Sequence, residues 1–360
     1  MRFAIPLLAL AFVVPALAVT ELAAQPQTTE LIIDSSEAHQ ALTILHKQLY
    51  KQPVTDGDWQ KLFATLPYHG LKSRESEIKN SFTDEQFKTF LTAPESLQRV
   101  AEWEKALAEI ESSKMPEIAS HVLAWLPAEA SIQARVFPMI KPRENSFVWR
   151  DAQGGTAIFL YLSNKSRASF EDTVAHECHH IGLMSLNVRQ KALLEKLPKP
   201  VSATVDAMGA FGEGEAVLAA AGTTDRRPHW QDDALARARW DSDMMHFNQD
   251  IATLTQFFTE VLDGKLTGDA IDDKVGSFFG YQGPWYTVGY EMAALVEKRY
   301  GREEFLKCML DPRLLLVRYN QVAAEANQHG ARLAVWPQEL LTRVYAGEPL
   351  PAPLPPVSSR

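Results

Sequence analysis

The stretch "FEDTVAHECHHIGL", from Phe170 to Leu183, concentrates side chains that could bind a metal or carry a redox reaction. It holds three histidines, two glutamates and one of the two cysteines of the chain. This composition leaves three interpretations open: a metal site, a redox site, or a helix that is simply rich in histidine. The geometry expected for the stretch distinguishes them.

A helix is predicted here. Ser169, followed three residues later by Asp172, is typical of a capping box, so we expect the helix to begin near Phe170. At about 100° per residue, His180 falls about 40° from His176, one turn further along the helix. The two imidazoles therefore share a face and can reach one metal ion.

The other polar residues lie elsewhere around the helix axis. Glu177 flanks the histidine pair at about 100°, His179 lies on the other flank at about -60°, and Cys178 lies on the far side at about 200°. Glu177 can reach a water beside a metal ion, whereas Cys178 points into the core. This rejects the redox interpretation. We expect His179 to line or support the site, because a ligand role for it would leave Glu177 without a function.

His176, Glu177 and His180 form the string His-Glu-x-x-His, which on a helix is the zinc-peptidase arrangement. Two neutral imidazoles one turn apart hold the ion, and the adjacent carboxylate accepts a proton from the water that the metal activates. We therefore predict one zinc ion per chain.

A catalytic zinc usually takes three protein ligands, so a third is expected downstream. Leu186 stands where the metzincins carry a third histidine, which directs the search to carboxylates. "GEGEAVLAA" offers Glu213 and Glu215, which are about 200° apart on a helix and cannot both face one ion. The three glycines of "GAFGEGE" cost roughly 1 kcal/mol each in helix propensity, which indicates close approach to another helix. The alternative is a solvated acidic turn.

These motifs resemble those of the gluzincins, His-Glu-x-x-His peptidases whose third zinc ligand is a Glu on a following helix. "GEGEA" is similar to the Asn-Glu-Gly-aromatic-Ala string of their aminopeptidase branch, which implies Glu213 as the ligand and places Glu215 at the aromatic position. "WYTVGYEMAALVEKRYG" is similar to the Tyr-x-Lys-Gly segment, which implies that Tyr286 stabilises the tetrahedral intermediate. Val288 replaces the lysine, and Tyr290 is the alternative if the register is shifted.

The resemblance does not extend to an aminopeptidase activity. The spacer between His180 and Glu213 is much longer than in that branch, and its Gly-x-Met-Glu-Asn string is absent upstream. "FEDTVAHECHH" with the later "EGEA" looks closer to poorly characterised bacterial families of zinc-dependent peptidases, whose function is unknown. The resemblance covers about residues 130–315 and implies a zincin-like catalytic region.

The remaining text predicts an α+β fold, mostly helical, with a small sheet next to the active-site helix. Apolar residues recur at helical spacing from Ser35 to about Ser120. "ASIQARVFPMI", "NSFVWR" and "TAIFLYL" predict strands, the last two a hairpin, and "TAIFLYL" is expected to offer its edge to an extended peptide. "GPWYTVGY" is predicted to be a loop. The predicted divisions are a helical N-terminal region (27–125), the catalytic region (126–347) and a proline-rich tail (348–360).

The chain of 360 residues has a net charge of -9, which argues against binding to nucleic acid. A basic residue followed by "FAIPLLALAFVVPALA" predicts a signal peptide within residues 1–24, cleaved after Ala18 or Ala24, rather than a lasting membrane anchor. We expect a secreted or periplasmic protein. Cys178 and Cys308 are expected to be free, buried thiols, although an oxidising compartment permits a disulfide.

Together these patterns indicate an exported single-zinc peptidase that acts on a peptide or protein substrate. We expect His176 and His180 to hold the zinc and Glu177 to move the proton, and the resemblance implies Glu213 as the third ligand and Tyr286 as the residue that helps the metal to stabilise the oxyanion. Two alternatives stay open. One is a zinc-dependent hydrolase of a non-peptide bond, which uses the same residues. The other is an inactive peptidase-like binding protein, against which the intact Glu177 argues.

Overall fold

The computed structural model describes residues 28–280 and 282–355, and the predicted signal peptide lies outside them. Within these residues the chain forms eighteen α-helices, a short 3-10 helix and four strands, which confirms the prediction of a mostly helical α+β fold. No helix among the described residues is both long and apolar enough to cross a membrane.

The described chain divides into two compact units. The N-terminal unit comprises residues 28–123 and 131–182, and the C-terminal unit comprises residues 124–130 and 183–355. Each unit therefore contains chain segments that are separated in the sequence.

The N-terminal unit contains seven helices between β1 and β2, where the helical stretch from Ser35 to about Ser120 is predicted, and most of the eighth helix after β4. Its elements are β1 (Thr29–Ile33), α1 (Ser36–Leu49), α2 (Asp56–Phe63), α3 (Leu66–Glu77), α4 (Asp84–Leu91), α5 (Pro94–Gln98), α6 (Val100–Glu111), α7 (Met115–Leu123), β2 (Ile132–Met139), β3 (Phe147–Arg150), β4 (Thr156–Tyr161) and α8 (Arg167–Met184).

The sheet has the strand order β1-β2-β4-β3. β1 and β4 pair parallel to β2, while β3 pairs antiparallel to β4, so the predicted hairpin is confirmed. The prediction that "TAIFLYL" offers a free edge is wrong, because β4 is hydrogen-bonded on both sides. The edge strands are β1 and β3. The phenylalanine side chains of this sheet are buried, with Phe159 stacked on Phe147 at 5.0 Å between ring centroids.

Two buried ionisable side chains, one on α1 and one just after β2, make hydrogen bonds to the chain that follows β2. Glu37 Oε2 accepts a hydrogen bond from the Ile140 amide at 3.0 Å, and burial raises the pKa of the Glu37 carboxyl to about 8. Lys141 Nζ donates to the Arg143 carbonyl at 2.7 Å and to Asn145 Oδ1 at 2.8 Å. Burial, with repulsion from nearby arginine, lowers the pKa of Lys141 to about 7. Burial therefore shifts the equilibrium of both groups toward their neutral forms.

The C-terminal unit is entirely helical. Its elements are α9 (Asn187–Leu194), α10 (Lys199–Met208), a 3-10 helix (Gly209–Phe211), α11 (Gly212–Ala221), α12 (Ala234–Met244), α13 (Phe247–Leu262), α14 (Asp269–Ser277), α15 (Pro284–Tyr300), α16 (Arg302–Leu310), α17 (Pro312–Gln328) and α18 (Gln338–Val344).

Helix α15 is the centre of this unit and packs against α11, α13, α16 and α17. Near its start the fully buried Trp285 lies edge-on to Phe211 at 5.2 Å and to Phe278 at 5.7 Å between ring centroids. The indole Nε1 of Trp285 donates to the Val275 carbonyl at 2.9 Å. Apolar burial and this hydrogen bond fix the position of the first turn of α15 within the core.

Candidate active site

Helix α8 carries the His-Glu-x-x-His string, as predicted, but it begins at Arg167 rather than near Phe170. The hydroxyl of Ser166 accepts a hydrogen bond from the Ser169 amide at 3.2 Å. The residue that caps the helix is therefore Ser166, which lies three residues before the predicted cap, Ser169.

The two faces of α8 differ as the helical geometry predicted. Val174 and Cys178 are fully buried and Ile181 is 5% exposed, whereas His176 and His180 are only partly buried. Burial, with a contribution from the neighbouring carboxylate, raises the pKa of the Cys178 thiol, so this sulfur is a poor metal ligand. Cys178 and Cys308 are both free and buried, which confirms the prediction for the two thiols.

His176 and His180 converge on one point. Their Nε2 atoms lie 3.1 Å apart, and their rings are nearly perpendicular, at 81°, with centroids 4.7 Å apart. Two nitrogens bound to one tetrahedral zinc at roughly 2.0–2.1 Å would be about 3.3 Å apart. The observed separation fits two lone pairs directed at a single ion.

Glu213, the second residue of α11, completes a group that could hold a metal ion. His176, His180 and Glu213 each offer one ligand atom, and these atoms all lie within 4.8 Å of one another. Two imidazole nitrogens and one carboxylate oxygen are a usual ligand set for a catalytic zinc, and they leave a fourth position for water. The donor set therefore fits zinc.

Glu215 lies elsewhere. It is 5% exposed and does not belong to the three-ligand group found among the described residues. Burial raises the pKa of the Cys308 thiol, and the carboxylates of Glu304 and Glu215 add to this effect, so Glu215 lies near Cys308 in the C-terminal unit. This placement agrees with the resemblance, which implies Glu213 and not Glu215 as the ligand.

Glu177 and His179 flank the histidine pair on α8 and do not belong to the three-ligand group found among the described residues. Glu177 is partly buried, while His179 is fully buried, with its ring centroid 6.4 Å from that of His180. Burial beside a proposed ligand suits the supporting role expected for His179.

The glycine-rich segment approaches another helix closely, as its composition predicted, and that helix is α15. A Cβ atom at Gly214 would lie 2.0 Å from the backbone nitrogen of Tyr290 and 2.3 Å from the carbonyl carbon of Gly289. A Cβ at Gly289 would lie 2.5 Å from the Phe211 carbonyl oxygen. Only glycine permits this backbone contact, which fixes the turn that bears Glu213.

Tyr286 lies in the first turn of α15, so the prediction of a loop at "GPWYTVGY" is wrong. Gly283 precedes the helix and Pro284 is its first residue, a position that suits proline because its missing N–H would have no helical partner there. The partly buried ring of Tyr286 lies edge-on to Phe279 at 6.4 Å between centroids. Tyr290, one turn further, is buried against Trp240, and burial raises its pKa to about 12.

Sequence reasoning assigned no role to the residues beside the start of α15. Gln282, which directly precedes Gly283, contacts His229, and His229 has a left-handed backbone with φ of 58°. No local sequence pattern predicts the contact, because it joins residues 53 positions apart.

A protein family described as "Putative zinc dependent peptidase (DUF5700)" matches residues 59–328. No curated protein and no solved structure matches the chain. The matched residues include α8, α11 and the first turn of α15, and so every side chain predicted to act at the site. The chain therefore belongs to this family of putative zinc-dependent peptidases.

Proposed function

We propose that this protein is a zinc peptidase that hydrolyses peptide bonds with a water activated at the group formed by His176, His180 and Glu213. The observation that carries the proposal is the 3.1 Å separation of the two histidine nitrogens, with the Glu213 carboxylate in the same group. Membership of the zinc-dependent peptidase family supports it independently.

The three ligands define what a bound zinc ion contributes. The ion, when present, supplies positive charge that makes a water molecule nucleophilic near neutral pH and polarises the carbonyl to be attacked. His176 and His180 would hold it through the lone pairs of their neutral imidazoles.

Glu177 moves the proton in this mechanism. It neighbours His176 on the helix and lies outside the three-ligand group of the described residues, so we assign its carboxylate the role of base. The carboxylate takes a proton from the attacking water and later delivers it to the nitrogen of the leaving amine. The peptide C–N bond then breaks, and a carboxylic acid and an amine are released.

Tyr286 supplies the second element of transition-state stabilisation. As an O–H donor, its phenol can bind the oxygen on which negative charge develops during attack, and this bond strengthens as the charge grows. The buried start of α15 restricts the ring, so little reorganisation is needed during the reaction.

The proposed substrates are peptides or proteins outside the cytoplasm. The proposal of export rests on the apolar N-terminal run and its Ala-x-Ala pattern. If an extended peptide adds to the sheet, it must do so at β1 or β3, since β4 has two hydrogen-bonded neighbours.

The proposal is tested with the mature protein, elemental analysis and a peptide-library digest. We expect about one zinc per chain and defined cleavage products. Glu177→Gln should keep the zinc and lower hydrolysis by orders of magnitude. The control is Glu171→Gln on the same helix, whose carboxylate faces Arg167 at 3.6 Å and should leave hydrolysis unchanged. Wild-type rates in Glu177→Gln would refute the mechanism, and zinc binding without peptide products would favour a non-peptide substrate.

A further inference from the structure

His229 lies between α11 and α12 and contacts three other parts of the C-terminal unit. Its Nδ1 lies 2.9 Å from Asp232 Oδ2, and its Nε2 lies 2.8 Å from Gln282 Nε2. Its ring packs against that of Trp240 at 5.1 Å between centroids. Since the Asp232 carboxylate can only accept, the neutral ring carries its proton on Nδ1, and Nε2 accepts a hydrogen bond from the Gln282 amide.

The backbone of His229 is strained. Its φ of 58° lies in the left-handed region, which residues other than glycine adopt only rarely. Such a conformation is unfavourable for a residue with a side chain and persists only where the surroundings hold it. Here the contacts of both ring nitrogens and of the ring face hold it, so the side chain has one defined orientation.

These contacts brace the start of α15 at two points. Gln282 directly precedes Gly283, where a Cβ atom would lie 2.2 Å from the Phe278 carbonyl oxygen, so the turn before the helix has no spare room. Trp240, on which His229 packs, lies edge-on to Tyr290 at 5.3 Å between centroids. Tyr286 lies between these two points, within the first turn of the helix.

We propose that His229 is a positioning residue for Tyr286. Asp232 fixes its ring, Nε2 holds the Gln282 side chain, and the braced turn before α15 sets the direction of the phenol. The catalytic part of this inference rests on the proposed function, in which Tyr286 donates to the oxyanion. The structural part, the dependence of the Tyr286 environment on His229, does not.

Two substitutions separate the contacts of His229. In His229→Asn the side-chain amide can still donate to Asp232 in place of Nδ1, and asparagine tolerates the left-handed backbone, but nothing reaches Gln282. In His229→Gln the longer amide can present an oxygen to Gln282 in place of Nε2. His229→Asn should therefore fold but no longer hold the turn before α15. His229→Gln should keep that turn in place.

The first measurement needs no activity. 3-Fluorotyrosine is placed at position 286 of the zinc-loaded full chain, and its ¹⁹F resonance is recorded. We expect the resonance to shift and broaden in His229→Asn and to stay at the wild-type position in His229→Gln. An unchanged resonance in His229→Asn overturns the inference.

The second measurement is steady-state kinetics. His229→Asn should lower kcat about ten- to hundredfold, as expected for a displaced catalytic group, with KM and zinc content unchanged. His229→Gln should recover most of that loss. In a Tyr286→Phe background, His229→Asn should cost nothing further. If the losses in kcat from His229→Asn and Tyr286→Phe multiply in the double variant, the positioning role is overturned, while the proposed function remains intact. If the wild type cleaves no peptide, the proposed function fails, and the ¹⁹F resonance alone decides the positioning.

Discussion

Replacing Gly214 with alanine would add one methyl group where α11 meets α15, and would change no residue proposed to react. The new Cβ would lie 2.0 Å from Tyr290 N and 2.3 Å from the Gly289 carbonyl carbon. Ordinary Cβ contacts are 3.4–4 Å, so the helices must separate by about 1.4 Å to admit it. Both neighbouring atoms belong to the backbone, so no side chain can rotate away.

The separation has a cost in stability and in metal affinity. Overpacking a core usually costs roughly 1–3 kcal/mol, and a backbone clash belongs at or above the upper end, while alanine regains about 1 kcal/mol of helix propensity. We expect a net loss of about 2–3 kcal/mol in the free energy of unfolding. The turn that bears Glu213 moves with α11, so zinc affinity should fall roughly 10–100-fold, as when a residue supporting a metal ligand is lost.

Urea unfolding of the metal-free chain and competition titration with zinc measure the two effects. The matched control is Gly209→Ala in the same segment, where the added Cβ would meet only Gln190 Nε2, at 3.9 Å. This control should unfold at the wild-type midpoint or above it, because alanine favours the helix. A Gly214→Ala variant with wild-type stability and wild-type zinc affinity would refute the packing argument.

Three further predictions follow from the same structure. In calorimetric titration, Glu213→Ala should lose most of its zinc affinity, while Glu215→Ala should keep it. Loss of affinity in Glu215→Ala alone would show that Glu215 is the ligand. Tyr286→Phe should lower kcat about a hundredfold with KM and zinc content little changed, and Tyr290→Phe much less, as steady-state kinetics will show. Glu37→Gln should flatten the pH dependence of stability, because the pKa of this carboxyl rises from 4.5 to about 8 on folding. The stabilisation by the Glu37 carboxyl is therefore complete below about pH 4.5 and is lost as the pH rises through about 8. If the free energy of unfolding has the same pH dependence in wild type and Glu37→Gln across that range, this expectation is wrong.

Local patterns in the sequence were sufficient for α8 and for the β3–β4 hairpin. The histidine pair, the buried Cys178 and the short turn between two apolar strands all lie within one element or between adjacent ones. β1 was missed because its five residues pair with a strand that begins at Ile132, about a hundred positions later, and no local pattern encodes that partner. β4 lies inside the sheet rather than at its edge because it pairs with β2 as well as with its hairpin partner β3.

The rest of the site depended on contacts that sequence spacing cannot express. Spacing alone leaves Glu213 and Glu215 as equal candidates, and the structure distinguishes them because only Glu213 groups with the two histidines among the described residues. The glycines indicated a close helix contact without identifying α15 as the partner. The Gly-Pro pair before Tyr286 predicts a loop, although proline is equally suited to the first position of a helix.

The brief passage of the chain through the C-terminal unit at residues 124–130 affects the order in which the protein can fold during synthesis. Trp125 is 2% exposed, and its ring is covered by the Arg302 guanidinium at 3.0 Å from the ring centroid. Arg302 also donates to the Ala124 carbonyl, a contact across 178 positions. The ribosome therefore completes the N-terminal unit long before it synthesises Arg302, which covers this tryptophan. Until α16 is synthesised, Trp125 lacks the Arg302 guanidinium and the Phe305 ring that lies edge-on to it, and incompletely covered apolar surface favours aggregation of a nascent or truncated chain.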